Sequence, residues 1–106
     1  MGDRQDEILT GIVLGEQETL TLESLAGLCT VETDWVIELV EYGALEPIDP
    51  TQPQWEFSAV VLKRVRTAAR LHYDLELGPA GIALALDLLD QIELLRARLR
   101  LLDKHQ

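Results

Sequence analysis

The stretch VEYGALEPIDPTQPQWEFS, Val40 through Ser58, decides the fold. Glu41-Tyr42-Gly43 reads as a helix end, because glycine just past a helix takes the left-handed backbone without a Cβ clash. An extended piece follows, then a loop carrying Pro47, Pro50 and Pro53, then a second extended piece, Trp55-Glu56-Phe57. A helix followed by a two-stranded loop outlines a domain with a wing. Wings of this kind commonly meet nucleic-acid phosphate, yet this loop holds no Lys or Arg. Its partner has to be of another chemistry.

Upstream, Ile8 to Leu14 is short, apolar and β-branched and ends at Gly15, which predicts a strand. Thr21 is placed to cap a helix of about two turns, with Glu23 at its positive start and Leu22, Leu25, Ala26 and Leu28 as its apolar positions. Cys29-Thr30-Val31 makes a brief turn. A second helix then runs through ETDWVIELVEYG, with an apolar stripe of Val36, Ile37, Val40 and Ala44. Its outer face carries Asp34, Glu38 and Glu41 at spacings i, i+4 and i+7 with no base between them. Like charges at that spacing cost a helix a few tenths of a kcal/mol, roughly, so the stripe is a candidate for use.

Downstream, Ser58 is read as the opening of a third helix that ends at Gly78. Lys63, Arg66 and Arg70 form a basic stripe on it, and Arg70 is spaced to pair with Asp74. His72 stands beside apolar neighbours and reads as a core or boundary histidine. Pro79, tolerated in a first turn, opens the last and longest helix. There Gly81, Ala85, Leu88, Ile92, Leu95, Leu99 and Leu102 recur at steps of 4 and 3, a heptad seam. A second stripe, Ile82, Leu86 and Leu89, exists only in the first half, so that half packs on its own domain. The later half, with Arg96, Arg98, Arg100 and Lys104 among leucines, projects beyond it. An uncovered seam calls for a second chain. A homodimer is expected, paired through Leu88, Ile92, Leu95, Leu99 and Leu102. Residues 1–78 then form the winged domain, and residues 79–106 a dimerisation helix belonging to the same compact unit.

The 106 residues suit one domain, and 47% hydrophobic content is enough to fold it. Few aromatics and many leucines favour helices over a β-sandwich. Charge is unevenly spread. Residues 1–58 hold thirteen acids against the single base Arg4, whereas residues 59–106 hold eight bases against six acids. The acidic half should attract a basic protein surface and repel nucleic acid. One cysteine, Cys29, cannot close an internal disulfide. No run is long enough to cross a membrane and the acidic N-terminus is not a secretory signal, so a cytoplasmic protein is expected. A glycine-rich phosphate loop, an HExxH run and a Cys/His zinc set are all missing. We therefore expect no enzyme, no metal and no cofactor.

Taken in order, LVEYGALEP (Leu39–Pro47), ARLHYDLEL (Ala69–Leu77) and GIALALDLLDQIELLRARL (Gly81–Leu99) resemble the chaperone-modulator, or CbpM, branch of the MerR-type winged helix-turn-helix proteins. The resemblance covers about Leu20 to Leu102. It implies a mainly α fold, a winged helix-turn-helix with a short N-terminal strand, a wing and a long C-terminal dimerisation helix. It also implies binding to the J-domain of a CbpA-type, DnaJ-like co-chaperone, with inhibition of its co-chaperone and DNA-binding activities. Charge fits that implication, since an acidic module can occupy the basic J-domain helix that docks on Hsp70. The partner-binding candidates are Asp34, Trp35, Glu38, Glu41 and Tyr42, with Asp87 and Asp90 on the last helix as a second acidic set. Trp55 and Phe57 are read as closing the wing over the core. DNA-binding MerR proteins place bases where this second helix has Glu32, Asp34, Glu38 and Glu41. The alternative is a MerR-like transcription regulator that uses Lys63, Arg64, Arg66 and Arg70.

Overall fold

The computed structural model describes residues 18–104. The strand expected over Ile8–Leu14 lies outside the described residues. The order of elements is β1 (Thr19–Thr21), α1 (Leu22–Cys29), α2 (Thr33–Glu41), β2 (Glu56–Ser58), α3 (Val61–Leu75) and α4 (Pro79–Lys104).

Local chemistry fixes most boundaries. Thr21 has extended backbone, and its hydroxyl oxygen accepts the Ser24 N–H at 3.1 Å, satisfying a donor that the first turn of α1 leaves open. At the end of α1, Thr30 is left-handed with φ 57°, and the Val31 N–H reaches back to the Ala26 carbonyl at 3.0 Å. The end of α2 repeats this arrangement with glycine. Gly43 has φ 79°, the Ala44 N–H binds the Leu39 carbonyl at 2.8 Å and the Gly43 N–H binds that of Val40 at 3.0 Å. The helix stop read at Gly43 is thus a paired-hydrogen-bond C-terminus that requires left-handed backbone.

Strand β2 pairs antiparallel with β1, in the register Thr19–Ser58, Leu20–Phe57 and Thr21–Glu56. Alternation turns Leu20 and Phe57 inward, and both are buried. This corrects the expected two-stranded loop. The segment after Gly43 does not form the partner strand of Trp55–Phe57; the strand before α1 does. Pro47, Pro50 and Pro53 have no N–H to offer a ladder. The loop instead joins β2 through the Ile48 N–H, which donates to the Glu56 carbonyl at 2.8 Å.

Ser58 is likewise a strand residue and not the cap of the third helix. Helix α3 begins at Val61 after Val60, which makes no side-chain capping bond. It ends at Leu75, three residues short of Gly78, because Glu76 takes the left-handed conformation there with φ 56°. The His72 ring seals that end, its Nδ1 lying 2.9 Å from the Leu77 carbonyl. A carbonyl only accepts, so Nδ1 carries the proton.

The core joins Leu25 and Ala26 of α1, Val36 and Leu39 of α2, Phe57 of β2, Leu62, Val65 and Ala68 of α3, and Ile82 and Leu86 of α4. Three stripes differ from expectation. Leu39, not Ile37, joins Val36 as the fully buried pair of α2, while Leu28 of α1 and Leu89 of α4 are exposed. Beyond Leu86, α4 contributes no buried side chain. Leu88, Leu95 and Leu102 are 55%, 53% and 62% exposed, so the seam read from the heptads lies open along the projecting half. No helix is long and apolar enough to cross a membrane among the described residues.

Candidate protein-docking surface

The acidic stripe sits where the helix phase of α2 puts it. With Val36 and Leu39 turned into the core, Asp34, Glu38 and Glu41 fall on the opposite side, and all three are exposed. Tyr42, at the end of the helix, is 56% exposed and stands beside them. Trp35 is placed differently. It is partly buried against the core, its ring centroid 5.7 Å from that of His72, and its indole Nε1 is enclosed without a hydrogen-bond partner. It therefore forms the flank of the α2 surface that meets α3.

The wing is equally devoid of positive charge. From Glu18 to Ser58 there are nine acids and no Lys or Arg. Asp49 organises the turn of the wing. Its carboxylate accepts the Thr51 hydroxyl at 2.7 Å, the Thr51 N–H at 3.0 Å and the Gln52 side-chain amide at 3.3 Å. Those bonds, the Thr51 hydroxyl first, hold the Asp49 carboxyl below its ordinary value, since they stabilise the charged form. Trp55 and Phe57 close the wing over the core as expected. Phe57 is fully buried, and Trp55 meets it edge-on at 6.5 Å while donating its indole N–H to the Pro50 carbonyl at 3.4 Å.

The acids of α4 are separated by environment. Asp90 binds Arg64 at 2.9 Å, and the same Arg64 donates from Nε to the Ala44 carbonyl at 2.7 Å. One guanidinium thus ties α3 to the corner after α2 and to α4. Asp87, one turn earlier, is exposed. Arg64 is consequently an internal strut, although the DNA-binding alternative counted it among its bases. Lys63 is exposed on the same helix.

A cleft of about 530 Å³ opens between α1, α2 and the wing, with Leu22, Ile37 and Trp55 as apolar walls and Glu23 and Glu56 on its edges. Reading the sequence by stripe missed this feature. The available signal was Ile37, an isoleucine beside the acids Asp34 and Glu41 on the helix phase, where a solvated face would have a polar residue.

A pair of short helices of which the second is the recognition helix, a two-stranded sheet with its wing, and a third helix packed with a long fourth define a winged helix-turn-helix protein, and comparison with known proteins agrees. The family described as MerR HTH family regulatory protein matches residues 20–104. Chaperone modulatory protein CbpM of Coxiella burnetii (strain Dugway 5J108-111) is 38% identical over 100 residues, 94% of this chain and 94% of that protein. The protein of the same name in Pseudomonas entomophila (strain L48) is 40% identical over 78 residues, covering 74% and 77% of the two chains. That of Pseudomonas putida (strain GB-1) is 41% identical over 78 residues, with the same coverage. The chain belongs to the CbpM family of chaperone modulatory proteins within the MerR helix-turn-helix class.

Proposed function

We propose that this protein is a chaperone modulator that binds the J-domain of a CbpA-type, DnaJ-like co-chaperone and blocks the basic helix with which that domain docks on Hsp70. Inhibition of the co-chaperone and of its DNA binding would follow from that occupancy. The observation that carries the reading is the acidic, base-free surface of α2 and the wing, with Asp34, Glu38 and Glu41 exposed on a helix that in a groove reader would present bases. A DNA reader draws much of its affinity from neutralising phosphates, and this face would repel them. Toward a basic protein helix the same face steers encounter and raises the association rate. Such a protein acts in the cytoplasm, where co-chaperones of this class meet their substrates. The open seam Leu88, Ile92, Leu95, Leu99 and Leu102 supports a homodimer, because exposed leucines in register over several turns need an apolar partner.

Calorimetric titration with an isolated CbpA-type J-domain at two salt concentrations, with duplex DNA as a parallel titrant, tests the reading. Salt-sensitive binding to the J-domain and none to DNA is expected. Binding to DNA alone would overturn it in favour of a transcription regulator acting through Lys63, Arg66 and Arg70.

A further inference from the structure

The cleft between α1, α2 and the wing combines a fixed apolar patch, flanking acids and a sizeable volume. Leu22, Ile37 and Trp55 form a preformed apolar patch in it, set among Thr21, Glu23, Gln54 and Glu56. The core holds α2 through Val36 and Leu39, which leaves Ile37 part-exposed on the cleft side. Trp55 is fixed by its edge contact with Phe57 and by its bond to the Pro50 carbonyl, which occupies the indole donor. Two acids line it: Glu56 lies across the sheet from Thr21, and Glu23 follows two residues later, while Asp34 and Glu41 flank Ile37 on α2 at i−3 and i+4 outside the lining. Its volume, about 530 Å³, falls in the range of roughly 300–1,000 Å³ typical of real binding sites.

This combination selects its occupant. Glu23 and Glu56 in the lining disfavour an anion, and a neutral apolar molecule would leave their carboxylates unanswered. A helix that carries one or two large apolar residues between Lys or Arg residues answers both features at once. We propose that this cleft is an anchor pocket for a basic amphipathic helix of a partner protein, seating an apolar side chain of that helix on Leu22, Ile37 and Trp55. The inference rests on the proposed function only in taking the partner to be basic protein. It moves the centre of affinity from the acidic stripe to the apolar cleft beside it, leaving the stripe to govern rate and salt dependence.

The probe is a synthetic helical peptide of lysine and leucine, compared with a peptide of equal charge in which glutamine replaces leucine. The full chain carries Trp35→Phe, so that Trp55 is its only tryptophan and reports on the cleft. The leucine peptide should shift Trp55 emission to the blue and bind at least about tenfold tighter than the glutamine peptide. Ile37→Ser, which alters no charge, should remove that advantage, whereas Leu75→Ser on the exposed end of α3 should not. Glu23→Gln with Glu56→Gln, both at exposed positions that the fold tolerates, should weaken both peptides and flatten the salt dependence. Equal affinity for the two peptides, unchanged Trp55 emission, or a neutral Ile37→Ser would each overturn the pocket. The isolated J-domain, titrated in parallel, separates the two readings. If it binds and Ile37→Ser is neutral, the cleft falls and the partner stands. If it fails to bind while the peptides discriminate through Trp55, the partner falls and the cleft stands.

Discussion

Thr30 is β-branched and exposed, yet it holds the left-handed backbone that links α1 to α2. That conformation costs an L-residue about 1–2 kcal/mol, and glycine returns part of the gain as lost chain entropy. Thr30→Gly should therefore raise stability by about 0.5–1 kcal/mol, read as a higher urea midpoint at fixed protein concentration. Gly43 gives the opposite sign. It has φ 79° and open space around a built Cβ, so Gly43→Ala is expected to destabilise through backbone strain alone. Asp49 supplies a test in the wing. Its folded value is depressed, so its bonds support the turn above the ordinary carboxylate value and are lost as pH falls through the depressed one. Thr51→Val removes the 2.7 Å hydroxyl bond and should move the Asp49 titration, followed by carboxyl NMR, upward toward the ordinary value. The Gly43 stop was legible because glycine is the residue of choice at that conformation. The Thr30 turn was located, but its left-handed backbone was not, because threonine does not announce it.

At the scale of elements, the sequence showed where helices begin and end better than which face each one buries. Thr21 and Pro79 mark their helix starts by local chemistry, and the structure starts α1 and α4 there. The burial of α2 was harder, since VIELV offers apolar residues at consecutive positions. Packing against α1 and α4 chose Val36 with Leu39 and turned Ile37 toward the cleft. The pairing of β2 was likewise illegible, because a three-residue strand carries no periodicity that names its partner. Long-range polar ties are similarly silent in sequence. Arg64 read as one of the bases of the DNA-binding alternative, but it bonds the buried corner carbonyl of Ala44 and the carboxylate of Asp90. Arg64→Ala should cost about 1–2 kcal/mol, measured by denaturation, with most of the loss from the Ala44 carbonyl. The exposed ion pair with Asp90 is worth little alone, so Asp90→Asn should cost no more than about half a kcal/mol.

At the scale of the whole molecule, α4 does two things in succession, and the charge along it changes at the same place. Residues 79–92 carry Asp87 and Asp90 with no base, whereas residues 93–104 carry four bases against Glu93 and Asp103. In the proposed dimer a parallel pair would set basic half against basic half. An antiparallel pair crossing at Leu95 sets the acidic half of each helix against the basic half of the other, and keeps the leucine seam matched, Leu88 opposite Leu102. The antiparallel arrangement is expected to win, because like charges in facing positions oppose pairing while opposite charges favour it. Disulfide trapping distinguishes the two, since a bridge needs Cα atoms within about 7 Å. In a Cys29→Ser background, Leu88→Cys with Leu102→Cys in one chain should give a covalent dimer under mild oxidation, and Leu88→Cys alone should not. A covalent dimer from Leu88→Cys alone would require parallel helices. Leu95→Asp buries a charge at the crossing point of either arrangement and should halve the mass seen by light scattering. The domain itself should stay folded, because Leu95 is 53% exposed and contributes nothing to the core that ends at Leu86.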